Sequence, residues 1–256
     1  MNLPQIKMRN HQNGVKKMHA FFQIHSKLHS FRLFSVEYFL PLGIILVLCT
    51  LLFIFRNKLK EKSKRRYLSF FLAFLLLLSA ALEQIWLLYE HAWSLKSSLP
   101  LQLSDLSVIF AIVMLFSKSK KLFQFLYFAG LGSSIQAILT PDLGRYSFPH
   151  FEYFEFFVSH GGVVLACIFM VLLFNYSPTL QWMWVTIFIV NIYSGLVFFL
   201  NKWLGANYLY IMKKPKSVSL LDYLGQWPWY LLSIEIIMIL SFYILYSPFW
   251  IKRKSR

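Results

Sequence analysis

The sequence predicts an all-α polytopic membrane protein, a bundle of about seven transmembrane helices. Of its 256 residues, 58% are hydrophobic and 19% are aromatic, whereas only 14% are charged. This balance is far too apolar for an ordinary soluble domain. In addition, apolar stretches of roughly 20 residues, the length that spans a bilayer, recur along the whole chain.

Seven apolar stretches are the predicted spans, and they are Val36–Phe55, Leu68–Tyr89, Leu99–Phe116, Leu122–Leu139, Phe154–Phe174, Trp182–Leu200 and Tyr230–Trp250. The third and fourth are short and are separated only by a turn at 117–121, so we expect them to form a tight antiparallel pair. The loops show no strand-like alternation and leave no room for a soluble domain. We therefore expect a tail with an interfacial segment at 1–35, one transmembrane domain at 36–250 and a basic cytoplasmic tail at 251–256.

The formal net charge of +16 raises the question of nucleic acid binding. However, many basic residues lie in short runs between apolar segments, at 56–66, 118–121 and 252–256. This distribution is typical of loops at an anionic cytoplasmic leaflet, so we expect membrane lipids as partners and no nucleic acid. With the N-terminus outside, the inner segments hold 14 of the 26 Lys and Arg residues. The sequence therefore favours a cell-membrane protein with its N-terminus outside and its C-terminus inside.

Polar side chains within the predicted spans fall at similar depths. Counting about 1.5 Å per residue from the predicted outer ends places those of five spans roughly 5 to 9 Å deep. This layer contains Glu83, Gln102, Ser104, Asp105, Gln136, His160 and Glu235, with Asn191 nearer the middle of the sixth span. A charged side chain deep in a bilayer costs about 3 kcal/mol unless it is paired or hydrated. We therefore expect these residues to line a cavity open to the outside.

The pattern in this layer most typical of catalysis is a nucleophile with a base and an acid. Ser104 is the candidate nucleophile and His160 the base, and the orienting acid is Asp105, Glu83 or Glu235. The candidate substrate contacts are Glu83, Gln102, Gln136, Asn191 and Glu235. The alternative is that all of these side chains form interhelical hydrogen bonds that serve only packing.

A metal site is weakly indicated at most. His150, His160 and Asp105 are metal-ligating residue types, but the chain has no HExxH-type spacing. Cys49 and Cys167 both fall inside spans and lack partners at short spacing, so they predict neither a metal site nor a disulfide. We expect no cofactor.

Five segments carry a resemblance to a known family. They are LPLQLSDLS from Leu99, KKLFQFLYFAGLGSSIQAILTPDL from Lys120, FPHFEYFEFFVSHG from Phe148, NKWLGANYLYIMKKP from Asn201 and SLLDYLGQWPWYLLSIE from Ser219. Over roughly residues 30 to 250, the chain resembles the YwaF-type integral membrane proteins of bacteria. That family is distantly similar to a eukaryotic transmembrane acyltransferase acting on ether phospholipids and to the androgen-induced transmembrane hydrolases of fatty-acid esters.

The resemblance implies a nucleophile on the third span and a His on the fifth, which match Ser104 and His160. Relatives often have His and Cys where this chain has Gln102 and Ser104. A serine hydroxyl attacks an acyl carbonyl only with the help of a base, since it is not a thiolate.

Two functions follow as hypotheses. The first is binding of a lipid or another small amphiphile in an outer-leaflet cavity, with acyl hydrolase or acyltransferase activity as the candidate reaction. The second is a carrier or receptor that binds a small solute or a proton there without covalent chemistry. Inverted repeats would favour a carrier, and the sequence contains none that we detect.

Overall fold

A computed structural model describes residues 21–26, 29–215 and 220–254, and all regular secondary structure in these ranges is helical. The main helices are α1 (Val36–Ile54), α2 (Lys62–Tyr89), α3 (Leu103–Ser117), α4 (Lys120–Leu139), α5 (Phe151–Phe174), α6 (Leu180–Leu204) and α7 (Trp229–Lys254). A single helical turn, Arg56–Leu59, precedes α2, and short 3₁₀ turns at Tyr208–Tyr210 and Leu220–Tyr223 precede α7. The predicted all-α class is confirmed.

The predicted count of seven spans is supported only in part. Six helices in the described part of the chain are long and apolar enough to cross a membrane, and all of the main helices except α3 are among them. Helix α3 has 15 residues, which at about 1.5 Å per residue is roughly 22 Å, shorter than the roughly 30 Å hydrocarbon core of a bilayer. The protein is therefore a multipass membrane protein in which one apolar helix is short.

Several helix starts differ from the predicted ones because capping and charge extend or shorten the apolar stretches. Helix α2 begins at Lys62 rather than Leu68, since Lys and Arg favour helix and continue it beyond the apolar part. Helix α5 begins at Phe151 rather than Phe154, because the His150 ring accepts a hydrogen bond from the Glu152 backbone N–H at 3.1 Å.

Helix α5 lies at the centre of the bundle. In the most apolar part of α5, 72% of the residues are buried inside the protein, compared with 17% for α1 and 17% for α7. Helices α1 to α4 pack directly against α5. The largest fully buried core side chains on α3, α4 and α5 include Met114, Phe128 and Phe169. Since few residues of α1 and α7 are buried in protein, their outer faces are available to lipid.

The bundle has two chemically different ends. We call the end formed by residues 21–26, 29–35, 90–102, 140–150, 205–215 and 220–228 the loop end, and the end formed by 55–65, 117–121 and 175–179 the basic end. The predicted N-terminal tail lies partly outside the described residues, as do residues 255–256 of the predicted C-terminal tail.

The described part of the N-terminal segment is bound to the loop end. The Phe22 carbonyl accepts a hydrogen bond from the Trp86 indole at 2.6 Å, and the Ile24 carbonyl accepts one from the Tyr146 hydroxyl at 3.0 Å. The His29 carbonyl accepts a third from the Ser147 hydroxyl at 2.6 Å. This part of the chain therefore covers the loop before α5.

Candidate functional site

The first turns of α5 place two acidic side chains toward the bundle interior. Glu152 and Glu155 are three residues apart and thus lie on one face of the helix. One Glu155 carboxylate oxygen accepts a hydrogen bond from the Ser79 hydroxyl of α2 at 3.0 Å. The Oε2 atom of Glu152 is buried and has no hydrogen-bond partner among the described residues. A buried oxygen of this kind is rare in proteins and is often satisfied by a ligand or water.

Asp105 lies in the first turn of α3 and stabilises the start of that helix. Its carboxylate accepts hydrogen bonds from the Gln102 backbone N–H at 3.2 Å and from the Ser104 hydroxyl at 3.3 Å. The negative charge of Asp105 also lies at the positive end of the helix dipole. The Gln102 side-chain oxygen accepts from the Leu209 backbone N–H at 2.9 Å. This helix start therefore holds the loop between α6 and α7 as well.

Four carboxyl groups from three helices come together near the loop end: Glu83 of α2, Asp105 of α3, and Glu152 and Glu155 of α5. We call them the carboxyl cluster. Glu83 interacts electrostatically with Asp105, and both Glu152 and Glu155 interact with those two. All four side chains are half-buried. Within the described ranges, none of the four carboxyl groups forms an ion pair with Lys or Arg. No basic side chain there therefore offsets the repulsion between these carboxyl groups when they are ionised.

The loop after α6 lies close to the carboxyl cluster and is held in a strained conformation. The Asn201 side chain forms two hydrogen bonds with the backbone of Tyr208, at 2.8 and 2.9 Å. The next two residues, Leu209 and Tyr210, both have positive φ values, 59° and 51°. Such values are uncommon for residues other than glycine and persist only where surrounding contacts impose them. Here those contacts include the Gln102 side chain, which accepts from the Leu209 N–H.

Tyr210 forms further hydrogen bonds through both its side chain and its backbone. Its hydroxyl donates to Asp142 at 3.1 Å, and its carbonyl accepts from the Tyr230 hydroxyl. Burial, followed by the Asp142 carboxylate, raises the pKa of the Tyr210 phenol, which therefore remains a donor at neutral pH. Tyr210 is thus fixed by hydrogen bonds with the loop before α5 and with the start of α7.

His160 lies deeper in the bundle than the carboxyl cluster. It is nine residues from the start of α5, or about 14 Å, whereas Asp105 is two residues, or about 3 Å, from the start of α3. These depths differ from those expected from the sequence because both helices begin at other residues than predicted.

The His160 ring is buried in apolar surroundings. It packs edge-on against Phe156, with ring centres 4.4 Å apart, and its Nδ1 atom has no hydrogen-bond partner among the described residues. Gly161 and Gly162 allow Ile45 of α1 and Leu76 of α2 to approach the α5 backbone closely. No hydrogen bond joins Ser104 to His160 in the described part of the chain, so the catalytic pairing stays a prediction.

The other predicted contact residues form no hydrogen bond with the carboxyl cluster within the described ranges. Gln136 is exposed near the end of α4. Asn191 of α6 donates to Glu235 of α7 at 3.0 Å, on an exposed part of the bundle. The structure therefore brings Glu83, Gln102, Ser104 and Asp105 into one region and pairs Asn191 with Glu235.

Glu152 and Glu155 were not among the residues predicted from the sequence. The predicted span began at Phe154, which placed Glu152 in a loop and gave Glu155 no partner. Two features of the sequence could have indicated these residues. Glu152 and Glu155 are three residues apart, and they closely follow His150, which caps the helix. Ser79 was also missed, since a lone serine in an apolar helix is most often bonded within its own turn.

A surface pocket of about 340 Å³ lies elsewhere at the loop end. Its lining consists of Ile24, His25, Asp142, Leu143, Gly144, Arg145 and Tyr146. None of these residues belongs to the carboxyl cluster. The described residues include no group of three or more His, Cys, Asp or Glu side chains arranged to hold a metal ion.

Comparison with known proteins identifies one family. The sequence profile of the TMEM164 family matches residues 33–246, which include all of the carboxyl cluster. No curated protein and no solved structure matches the chain.

Proposed function

The chain belongs to the TMEM164 family, a family of transmembrane proteins, and on that premise we propose that it binds the head group of a lipid or another amphiphile at the carboxyl cluster. The observation that carries this proposal is the convergence of four half-buried carboxyl groups without a counter-charge from the described residues. Such a cluster complements a cationic head group, for example an amine. The unpartnered Glu152 oxygen offers a further hydrogen-bond acceptor.

An amphiphile fits this position better than a wholly polar solute. The cluster lies near the ends of apolar helices, and exposed apolar residues such as Leu82 and Ile85 flank Glu83 on α2. A head group at the cluster would leave its chains beside this surface. We place the protein in the cell membrane with the loop end outside, since the basic end holds many of the Lys and Arg residues.

The candidate reaction is acyl transfer or hydrolysis, as the resemblance to YwaF-type proteins and their distant relatives implies. Ser104 Oγ attacks the carbonyl carbon of a lipid ester, its proton passes to a base, and the alcohol departs after gaining a proton. Water or a second alcohol then removes the acyl group from the serine. Asp105 is the base in hydrogen-bond contact with Ser104, and His160 is the base that the resemblance implies.

A carrier or receptor without covalent chemistry is the second candidate. The observation that favours it is that Ser104 bonds to Asp105 rather than to His160. In this alternative, the carboxyl cluster binds a cationic solute or protons, and Ser104 and Asp105 together stabilise the start of α3.

Labelling with a serine-reactive phosphonate that carries an acyl-length chain distinguishes the two candidates. We expect wild-type protein to be labelled and Ser104→Ala to lose at least about 90% of the signal, because only the activated hydroxyl reacts quickly. Ser107→Ala is the matched control, since Ser107 lies one turn further along α3 and its hydroxyl donates to the Leu103 carbonyl of its own helix. It should label like wild type.

Equal labelling of wild type and Ser104→Ala would contradict the enzyme. A fluorescent amphiphile with an amine head group then tests the carrier. We expect Glu152→Gln to weaken its binding several-fold relative to a neutral-headed analogue. Unchanged binding in Glu152→Gln would contradict the head-group site itself.

A further inference from the structure

Two basic side chains meet at the basic end of the bundle, far from the carboxyl cluster. Arg65 comes from the first turns of α2, and Lys118 from the turn between α3 and α4. Both lie over the ring of Phe174 at the end of α5, with the Arg65 guanidinium 4.4 Å and the Lys118 ammonium 5.2 Å from the ring centre. Three segments therefore position these two cations against one aromatic ring.

The protein partners of the two cations are neutral. Arg65 donates to the Leu173 carbonyl at 3.3 Å. Lys118 donates to the Ser69 hydroxyl and to the Leu115 carbonyl. Within the described ranges, the acid closest in sequence, Glu61, forms its ion pair with Lys64 at 2.7 Å rather than with either cation.

The two cations are close enough to affect each other. Burial, followed by the charge of Arg65, lowers the pKa of Lys118 to about 8. Both side chains are half-buried, so water screens their repulsion only in part. A bound anion between them would remove this repulsion.

The outer surface of α2 and α3 at the same end of the bundle is apolar and aromatic. Tyr67, Phe70 and Phe116 are exposed, and the rings of Phe70 and Phe116 are 5.6 Å apart. The Arg66 guanidinium lies 5.7 Å from the Phe70 ring centre. Aromatic and basic residues together at a helix end are typical of the interface between lipid chains and head groups.

We propose that Arg65 and Lys118 bind the phosphate of an anionic phospholipid in the leaflet at the basic end. Arg offers a planar pair of N–H donors and Lys a compact charge, and the two together suit a phosphate. The lipid's chains then lie along the exposed face of Phe70 and Phe116. Because this apolar face lies at the same end of the bundle as the cations, a lipid phosphate fits the site better than a free anion.

Thermal unfolding of the full chain in a neutral detergent tests this proposal. We expect added phosphatidylglycerol to raise the unfolding temperature by about 5 °C, since a ligand that binds only the folded state stabilises it. Phosphatidylcholine and inorganic phosphate should each raise it much less. The double variant Arg65→Gln/Lys118→Gln should lose most of the response to phosphatidylglycerol.

The matched control is Lys62→Gln/Lys121→Gln, which removes the same net charge from two exposed residues of the same end. It should keep the response. Equal loss in both double variants would overturn the site in favour of diffuse attraction to the whole basic end. An equal shift with inorganic phosphate would overturn the choice of a lipid. Absence of any shift in the wild type would overturn the proposal even if the double variant failed to fold.

Discussion

Helices α5 and α1 are almost equally apolar, yet they occupy opposite positions in the bundle. The mean hydropathy of the most apolar part is 2.4 in α5 and 2.3 in α1. In α5, however, 72% of that part is buried in protein, compared with 17% in α1. Apolar composition therefore predicts that a helix enters the membrane, but it does not predict whether protein or lipid surrounds that helix.

The residues that distinguish α5 are its small and polar ones. Gly161 and Gly162 lie against Ile45 and Leu76, and a Cβ atom added at either glycine would approach a neighbouring side chain to within 3 Å. In α1, a Cβ atom added at Gly43 would meet nothing within 4 Å. Because apolar helices gain little from the hydrophobic effect inside lipid, close packing at small residues decides which helix lies at the centre.

The largest effect is expected from filling a glycine of α5. Gly162→Val places branched carbons against Leu76, which is fully buried, so we expect a loss of about 2 kcal/mol in the free energy of unfolding. Gly43→Val in α1 is the matched control and should change that free energy by less than about 0.5 kcal/mol. Thermal unfolding in detergent measures both. Equal losses would mean that α1 is as tightly packed as α5.

A smaller effect, of opposite sign, is expected from neutralising one acid of α5. Glu155→Gln keeps an acceptor for Ser79 but removes one of four half-buried carboxyl groups, each of which opposes the ionisation of the others. At pH 8 we therefore expect it to stabilise the fold by about 1 kcal/mol while weakening binding of an amine-headed amphiphile. Glu235→Gln at the periphery serves as the control and should leave both quantities unchanged. Destabilisation by Glu155→Gln would show that the carboxyl cluster supports the fold.

The smallest effect is expected at the α6–α7 pair. Asn191→Leu removes the hydrogen bond to Glu235 on an exposed part of the bundle. Interhelical hydrogen bonds in membrane proteins contribute on average about 0.6 kcal/mol, so the unfolding temperature should fall by no more than a few degrees. A loss of stability as large as that of Gly162→Val would show that the Asn191–Glu235 pair matters to the fold as much as the contacts of α5.

Much of the fold was predictable from the sequence because a bilayer requires long apolar helices. Each predicted span overlaps a helix, and the predicted end of α2 at Tyr89 and of α5 at Phe174 match the structure. The helix starts were less predictable. They depend on single capping interactions such as that of His150, which hydropathy does not report.

The candidate site was predictable only in part. Glu83, Gln102, Ser104 and Asp105 were expected to lie in one region, and the structure brings them together. Side chains on different helices face one another only if each helix has the right rotation about its axis and begins at the right residue. The number of apolar residues in a span determines neither of these. This is why Glu152 and Glu155 were missed, and why the hydrogen bond between Asn191 and Glu235 was not predicted.

If α3 crosses the bilayer as the sequence predicts, its shortness gives the protein an uneven thickness there. Its side chains Ile109, Val113 and Phe116 are exposed, so lipid meets a helix roughly 8 Å shorter than the hydrocarbon core beside it. Lipids there must thin locally, at a cost of a fraction of a kcal/mol per Å of hydrophobic mismatch. Head groups are thereby drawn down toward the start of α3, where Gln102 and Asp105 lie. A thinner membrane lowers this cost and a sterol-thickened one raises it.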